Sequence, residues 1–200
     1  MSMNKNARHR LLLVLLTMTV LGCPPIAGII HGWTFSVTGL DKGLAIAERT
    51  NGSLFIAGVS FSPGQPKELF GLCVSPSGER LWTREISGLT NASFSFPNTL
   101  GTALPSGESM IAGELQSETS SRKVNDVLRL VRFNVVGQTL WNNTYTFDYG
   151  TNAIHCIAPA DNDGTYVSGN LESNNGFIPF VVKIDRDGNV TWLSNLDSDV

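Results

Sequence analysis

Short apolar runs separated by polar turns fill the chain from residue 41 to residue 196. The runs are about five to seven residues long, and the turns between them are rich in Gly, Asn, Asp and Ser. Apolar runs of this length, joined by dipeptides such as Asn-Gly, Asp-Gly or Ser-Gly, are typical of β-strands connected as hairpins. The sequence contains no long stretch with helical period, so the pattern predicts an all-β chain.

One order of segments occurs three times. Each copy starts with a short apolar segment and a turn dipeptide, followed by an apolar run ending on Gly, a polar loop of variable length and a longer apolar run. It closes on a Gly-x-x-x-Trp turn and a further strand. The three pairs are Gly78 and Trp82, Gly137 and Trp141, and Gly188 and Trp192. Because every copy holds four predicted strands, the sequence predicts three four-stranded antiparallel sheets.

Four antiparallel strands in a repeated unit of about 50 residues describe the blades of a β-propeller. The predicted blades cover residues 41–89, 90–148 and 149–200. The segment "GWTFSVTGL" resembles "LWTREISGL" of the first blade, so residues 31–40 are predicted to form an outer strand of a preceding or closing blade. A closed propeller has at least about four blades. We therefore expect an incomplete propeller, or self-association that closes it.

The repeated Gly-x-x-x-Trp spacing has a physical explanation in a hairpin turn. The glycine supplies positive φ between the third and fourth strands of a blade. The tryptophan starts the outer strand, where its ring can pack on a neighbouring blade. An alternative interpretation makes the tryptophans aromatic platforms for sugars, but a residue that recurs at one place in every copy favours packing.

The third copy resembles a known repeat family. Its "KIDRDGNVTW" is similar to the pyrroloquinoline-quinone-type propeller repeat, and "DGTYVSG" followed by "VVKIDRDGNVTW" resembles secreted and surface propeller repeats of bacteria and archaea. The resemblance covers Asp41 to Leu196, although Ser75 and Asn134 stand where the third copy has Asp185. It implies a propeller fold without an assigned chemistry. Quinone binding would require Arg, Asp and Trp groups from several blades facing the channel, and no cofactor is predicted.

The first 30 residues have the pattern of a targeting segment. Lys5, Arg8 and Arg10 form a positively charged start, and Leu11 to Leu21 is an uncharged run of eleven residues. A run of this length matches the apolar part of a signal peptide and is too short to span a bilayer by itself. Residues 1–30 are therefore predicted to be a signal peptide or membrane anchor, with the body exported to the cell surface or periplasm.

Attachment to the membrane has alternative interpretations. The segment Val20-Leu21-Gly22-Cys23 resembles a bacterial lipoprotein cleavage box, which makes Cys23 a candidate for lipidation. Alternatively, the twenty uncharged residues from Leu11 to Ile30 are long enough to cross a membrane as one anchor. A cytosolic protein with an apolar N-terminal helix is a third interpretation, but the segment lacks the polar face such a helix would have.

The net charge narrows the classes of partner. The full chain has a formal net charge of −3. Loss of the three basic residues of the leader would leave 11 basic and 17 acidic groups, a net charge of −6. A mildly acidic body without a basic stripe argues against nucleic acid and against anionic membrane surfaces, because both require clustered Lys and Arg. Contact with a membrane is therefore predicted through the N-terminus only.

Candidate metal-binding and catalytic groups are few. The turns Asp161-Asn162-Asp163-Gly164 and Asp185-Arg186-Asp187-Gly188 look like calcium loops. A calcium site requires about six or more oxygens, usually with a further carboxylate a few residues on, and neither turn has one nearby. Nucleophile-elbow, zinc-protease and nucleotide-binding motifs do not occur in the sequence. We predict no catalytic, cofactor-binding or metal-binding residues and interpret these carboxylates as turn chemistry.

The cysteines and one histidine are the remaining candidates for chemistry. His155 and Cys156 are adjacent on a predicted inner strand, where alternation places them on opposite faces, so we expect buried packing rather than a Cys-His pair. The alternative for His155 is a position facing the central channel. Cys73 lies on the third predicted strand of the first blade. A whole blade separates it from Cys156, and no disulfide between them is expected.

The predicted function is that of an exported, membrane-tethered β-propeller that acts as a binding or scaffold module without catalysis. The loops after Gly58, Gly113 and Gly169 vary in length and emerge from one face, so they form the predicted contact surface for a protein or glycan partner at the cell surface. The alternatives are a quinone-dependent or glycan-cleaving propeller enzyme, and a lipoprotein subunit of an outer-membrane assembly machinery. Channel-facing Arg, His and carboxylates would favour the enzyme, whereas small and apolar groups would favour the scaffold.

Overall fold

Antiparallel β-sheets account for the described part of the chain. The computed structural model describes residues 40–61, 68–86, 92–93, 100–117, 124–147, 150–173 and 176–195. Within these ranges the regular structure consists of thirteen strands and one short 3-10 helix. The strands form three antiparallel sheets. The prediction of an all-β chain built from four-stranded antiparallel sheets is confirmed.

The strands follow chain order across each sheet, as in a meander. The first sheet contains β1 (Leu40–Glu48), β2 (Leu54–Phe61), β3 (Glu68–Val74) and β4 (Arg80–Ile86). The second contains β5 (Ala92–Ser93), β6 (Leu100–Ala103), β7 (Ser109–Ser117), β8 (Val124–Phe133) and β9 (Thr139–Tyr145). The third contains β10 (Gly150–Pro159), β11 (Thr165–Ser173), β12 (Gly176–Ile184) and β13 (Val190–Asn195). The 3-10 helix, Asp161–Asp163, lies between β10 and β11.

The second sheet fills its four positions with five strands. Both β5 and β6 pair with β7, with Ala92 opposite Ser117 and Leu100 opposite Ala112. The two short strands therefore lie one after the other along a single edge of β7. The sequence pattern predicted β6 at this edge and missed the two-residue strand β5.

Two apolar cores lie between successive sheets, and the second sheet contributes to both. The core between the first and second sheets includes Phe55, Val59, Leu69, Ile111, Val131 and Phe133. The core between the second and third includes Met110, Leu128, Leu130, Val167, Phe180 and Val182. Alternate residues of β8 therefore enter different cores, which explains why its sequence is apolar on both faces. Burial of each large apolar side chain stabilises the fold by about 1.5–3 kcal/mol.

The first strands of the three sheets lie beside one another. Strand β6 contacts both β1 and β10. A Cβ atom built on Gly101 of β6 would lie only 2.7 Å from the Cβ of Ala57 and 3.2 Å from the ring of Phe55. The missing side chain at Gly101 therefore allows the first strand of the second sheet to approach the first sheet closely.

Several predictions fall outside the described residues. These are the signal peptide or anchor at 1–30, the lipidation candidate Cys23, and the outer strand at 31–40 apart from Leu40, which begins β1. Residues 62–67, 118–123 and 174–175 of the variable loops also lie outside the described ranges. The remaining residues of these predicted loops belong to the flanking strands. Among the residues that are described, no helix combines the length and apolar character needed to cross a bilayer.

Candidate functional site

Two tryptophans of the repeat bind the hairpin turn of the sheet that follows their own. Trp82 Nε1 in β4 donates a hydrogen bond to the carbonyl oxygen of Val135 at 3.3 Å. Trp141 Nε1 in β9 donates to the carbonyl oxygen of Arg186 at 2.9 Å. Val135 and Arg186 each stand two residues before the repeat glycine of their turn. The same contact therefore occurs at both junctions between successive sheets.

An arginine side chain binds each of these carbonyl oxygens as well. Arg49 Nη2 donates to the carbonyl of Val135 at 3.1 Å. Arg132 Nη1 donates to the carbonyl of Arg186 at 3.0 Å. A carbonyl oxygen has two lone pairs, so one indole and one guanidinium can satisfy it together.

Each of these guanidinium groups also reaches the first hairpin turn of the following sheet. Arg49 Nε donates to the carbonyl of Gly107 at 2.8 Å, and Arg132 Nη1 donates to that of Asp163 at 2.7 Å. Arg49 follows β1, whereas Arg132 lies within β8. The two arginines thus perform the same task from different positions in the repeat, and for this reason the sequence pattern did not reveal them.

The repeat glycines lie against the tryptophans of the preceding sheet. Gly137 and Gly188 have φ values of 79° and 89°, the left-handed region that glycine adopts without strain. A Cβ on Gly137 would lie 2.4 Å from Cδ2 of Trp82. A Cβ on Gly188 would lie 3.2 Å from Cδ2 of Trp141 and 2.5 Å from Nδ2 of Asn143. The Gly-x-x-x-Trp motif therefore pairs the glycine of one copy with the tryptophan of the copy before it.

The three repeat tryptophans have different surroundings. Trp82 is 7% exposed, and its ring centroid lies 5.7 Å from that of Phe133. Trp141 is half-buried. Trp192 is 43% exposed, and its ring lies 6.0 Å from Tyr166 of its own sheet. Exposure therefore rises from the first copy to the third.

A buried ion pair lies at the junction of the second and third sheets. The Arg132 Nε atom donates to Glu108 Oε2 at 2.5 Å, and Arg132 Nη2 lies against the same oxygen. Arg186 Nη2 approaches Glu108 Oε1 at 3.5 Å from an exposed position. The carboxylate compensates the charge of a fully buried guanidinium, which would otherwise be costly. The signal available in the sequence was a charged residue inside the apolar run of β8.

The carboxylates of the calcium-like turns make contacts within the protein. Asp161 Oδ1 accepts a bond of 2.5 Å from Lys183 Nζ, which lowers the pKa of that carboxyl. Asp163 Oδ1 accepts the backbone N–H of Ser106 at 3.0 Å. Positive φ in this turn belongs to Asn162 and Asp163, at 54° and 56°, rather than to Gly164. Among the described residues, no group of three or more His, Cys, Asp or Glu side chains is arranged to hold a metal ion.

Ser75, Asn134 and Asp185 occupy one position of the repeat and support the same turn. Each side-chain oxygen accepts the backbone N–H of the residue four positions later, at 3.0, 2.8 and 2.8 Å respectively. In the third copy this bond, with a further one from the Asn189 side chain, lowers the pKa of the Asp185 carboxyl. The sequence differences among the copies therefore preserve one hydrogen bond.

The expected burial of His155 and Cys156 is wrong. Both residues are exposed, and the pairing register of β10 shifts between Ile154 and Cys156. The irregularity interrupts the alternation on which the prediction rested. His155 Nε2 is 3.0 Å from Asn170 Nδ2. Cys73 is buried, with its sulfur 3.1 Å from Arg49 Nη1, and both Cys73 and Cys156 are free thiols.

The two ends of each sheet differ in what they contribute. Both hairpin turns of a four-stranded meander lie at one end, and the connection between its second and third strands lies at the other. At the junctions described above, the turns accept hydrogen bonds from the preceding sheet. The opposite end carries the connections β2–β3, β7–β8 and β11–β12, whose undescribed segments are residues 62–67, 118–123 and 174–175.

The first strands carry mostly small and apolar side chains. The titratable residues on β1, β6 and β10 are Asp41, Lys42, Glu48, His155 and Cys156. Glu48 and His155 are exposed on separate sheets. Arg132 and Glu108, in contrast, form an ion pair between the sheets, and Arg132 also binds two turn carbonyls.

The chain matches no protein-family model and no curated protein. The resemblance to propeller repeats therefore depends on the motifs quoted from the third copy. The contacts that recur between successive sheets are an independent argument for a repeated architecture, because they join equivalent residues of different copies.

Proposed function

We propose that the three sheets are successive blades of a propeller-like arrangement. Two observations support this. The first strands lie side by side, with β6 between β1 and β10. In addition, an indole and a guanidinium of one sheet bind the same turn carbonyl of the next at both junctions. A repeated contact between neighbours, rather than one core shared by all sheets, is the organisation of repeat proteins.

The function that this arrangement supports best is that of an exported, membrane-tethered binding or scaffold module without catalysis. The observation that carries it is the difference between the two ends of the sheets. The hairpin-turn end is used for packing between sheets, whereas the opposite end carries the connections β2–β3, β7–β8 and β11–β12. Surface loops positioned by a rigid scaffold are the usual place for recognition.

The partner in this proposal is a protein or glycan at the cell surface. Between the strands the connecting segments read "SPGQPK", "ETSSRK" and "NN", rich in hydroxyl, amide and charged groups of both signs. Such groups form directional hydrogen bonds with polar partners. The small and apolar side chains of the first strands favour a scaffold over the enzyme alternative, which requires converging acids and bases.

The tether in this proposal is the N-terminal segment. Lipidation of Cys23 or retention of the apolar run from Leu11 to Ile30 would both hold the sheets at a membrane. Mass spectrometry of the mature N-terminus separates these routes. A diacylated N-terminal cysteine indicates the lipid anchor, and an intact leader indicates the membrane-spanning one.

Loop replacement tests the binding role. In the full-length chain, residues 62–67 and 118–123 are each replaced by a Gly/Ser segment of the same length, and the variants are applied to a glycan array and to intact cells for proximity labelling. We expect unchanged thermal unfolding together with loss of the labelling pattern. A matched control replaces two exposed turn residues, Val135 and Val136, with Ser. Full binding by both loop variants would contradict the proposal.

A further inference from the structure

The outer face of the third sheet presents the same pair of groups that the first two sheets use to bind a turn. In the second sheet, Arg132 stands opposite Trp141 in the strand register. In the third sheet, Lys183 stands opposite Trp192 in the equivalent register. Lys183 and Trp192 therefore occupy the positions of Arg132 and Trp141, on the face that points away from the second sheet. In the first sheet the cation that acts with Trp82 is Arg49, from a different position of the repeat.

This third pair has no turn to bind among the described residues. Trp192 is 43% exposed, whereas Trp82 at the first junction is 7% exposed. Lys183 Nζ contacts the exposed carboxylate of Asp161 and lies 5.6 Å from the ring centroid of Tyr166. An ammonium group has three donors, so Lys183 can keep Asp161 and still donate to a carbonyl. Phe177, 62% exposed on the same side of β12, adds apolar surface.

The first sheet carries a turn of the kind that such a pair binds. Gly78 has φ 84° and donates its N–H to the carbonyl of Ser75 at 2.9 Å. The bonds Gly137 to Asn134 and Gly188 to Asp185 have the same form. Gly137 and Gly188 are buried beneath a tryptophan, but Gly78 is only half-buried. The residue equivalent to Val135 and Arg186 is Pro76, whose side chain is exposed.

We propose that the outer face of the third sheet binds the Ser75–Gly78 turn of a second copy of this chain. Trp192 Nε1 and Lys183 Nζ of one copy donate to the Pro76 carbonyl of the other, and the Trp192 ring covers Gly78. The argument for a second copy is continuity with an interface that the chain forms twice, from first to second sheet and from second to third. If the third sheet of one molecule binds the first sheet of another in the same way, no new type of contact is required.

This contact is head-to-tail, because it joins different surfaces of the two copies. It does not rest on the proposed binding role of the loops, which lie at the opposite end of the sheets. Failure of one proposal therefore leaves the other in place. Loop replacement tests the first, and variants at Trp192 and Gly78 test the second.

Sedimentation velocity of the full-length chain over a concentration series, in a density-matched detergent, measures the association. We expect the wild-type chain to form dimers and Trp192→Ala to weaken the dimer at least about tenfold, the size expected for a tryptophan at the centre of an interface. Leu193→Ala is the matched control. Leu193 is 41% exposed, close to Trp192, but stands opposite the inward-facing Val182. This control should dimerise like the wild type.

A mixing experiment tests the head-to-tail geometry. Gly78→Ala places a methyl group where the ring of Trp192 from the other molecule would lie. This variant can therefore no longer be bound through its Ser75–Gly78 turn, but its own Trp192 face remains intact. Trp192→Ala removes the face and keeps the turn. At a concentration where the wild type is dimeric and Trp192→Ala is not, we expect each variant alone to sediment as a monomer. The equimolar mixture should form a one-to-one dimer through its intact pair of surfaces. A wild-type monomer, dimerisation of Trp192→Ala like the wild type, or a mixture that stays monomeric would overturn the proposal.

Discussion

The indole nitrogen of Trp141 donates a hydrogen bond to the carbonyl oxygen of Arg186 at 2.9 Å, across the junction of the second and third sheets. Trp82 makes the equivalent bond to Val135 at the previous junction. The motif that recurs along the chain is therefore a contact between neighbours in space. In each contact the tryptophan belongs to one repeat, and the carbonyl oxygen belongs to the repeat that follows it along the chain.

Trp82 and Trp192 are expected to differ in their contribution to stability, in the order of their burial. Trp82→Ala should lower the free energy of unfolding by about 3–5 kcal/mol, because it removes a large ring from a core. Trp192→Ala should lower it by about 0.5 kcal/mol when measured on the monomer, since most surface substitutions are this mild. Urea titrations followed by far-ultraviolet circular dichroism measure both. Equal losses would contradict the packing role assigned to Trp82.

Gly137→Ala should cost more than the same change in a turn without a covering ring. Left-handed φ costs an L-residue about 1–2 kcal/mol, and the new methyl group would also collide with Trp82, adding about 1–3 kcal/mol. Gly52→Ala is the matched control. Its φ is 77°, and a Cβ there would lie 3.5 Å from Pro76, an ordinary contact.

A double-mutant cycle separates the two costs of Gly137→Ala. In a Trp82→Ala background the collision disappears, and the loss should fall to that of Gly52→Ala. An unchanged loss in that background would show that backbone strain alone explains the glycine. The measurement is again the free energy of unfolding in urea.

The strands were predictable because each depends on a local pattern. In β12, Ile178, Phe180, Val182 and Ile184 are buried and face the second sheet, while the residues between them are more exposed. This alternation can be read from the sequence alone. The repeat spacing likewise located the turns, and Gly78, Gly137 and Gly188 all have positive φ.

The contacts between sheets were less predictable because they depend on tertiary structure. Arg49 and Arg132 reach equivalent carbonyls from non-equivalent positions, so no repeated letter marks them. The exposure of His155 and Cys156 depends on an irregularity in β10 that the sequence pattern does not encode. In the turn before β11, Asn162 and Asp163 take the positive φ expected of glycine, as Asn and Asp tolerate better than other residues.

Arg132→Met should destabilise the protein strongly, by about 3–5 kcal/mol, because it leaves the carboxylate of Glu108 buried without its closest partner. Arg186→Met is the matched control, since Arg186 approaches the same carboxylate at 3.5 Å with a side chain that is 60% exposed. We expect a loss of no more than about 1 kcal/mol for this control. Thermal and urea unfolding measure both variants.

Replacing both members of the buried pair should be milder than replacing one. The double variant Arg132→Met with Glu108→Leu removes both charges together, and such exchanges are often nearly neutral. The turn carbonyls of Asp163 and Arg186 lose a donor in either case. A double variant as unstable as the sum of the single ones would show that these carbonyl bonds, rather than the ion pair, dominate.

Asp185 should make stability depend on pH in the acidic range. The backbone N–H of Asn189, and then its side chain, hold the pKa of the Asp185 carboxyl below its ordinary value of 3.8. A carboxyl whose pKa is lower in the folded state stabilises that state above its unfolded pKa, and this contribution is lost as the pH falls through the folded value.

Asp185→Asn isolates this contribution because Asn134 already supports the same turn in the second copy, accepting the Gln138 N–H at 2.8 Å. We expect the variant to fold at neutral pH with a modest loss of stability. The difference in unfolding free energy between wild type and variant should stay constant from pH 7 to about pH 5 and shrink as the pH falls below 3.8. Titration of Asp161 beside Lys183 occurs in both proteins and cancels in the difference. A difference that does not change with pH would show that the charge of Asp185 contributes nothing to the turn.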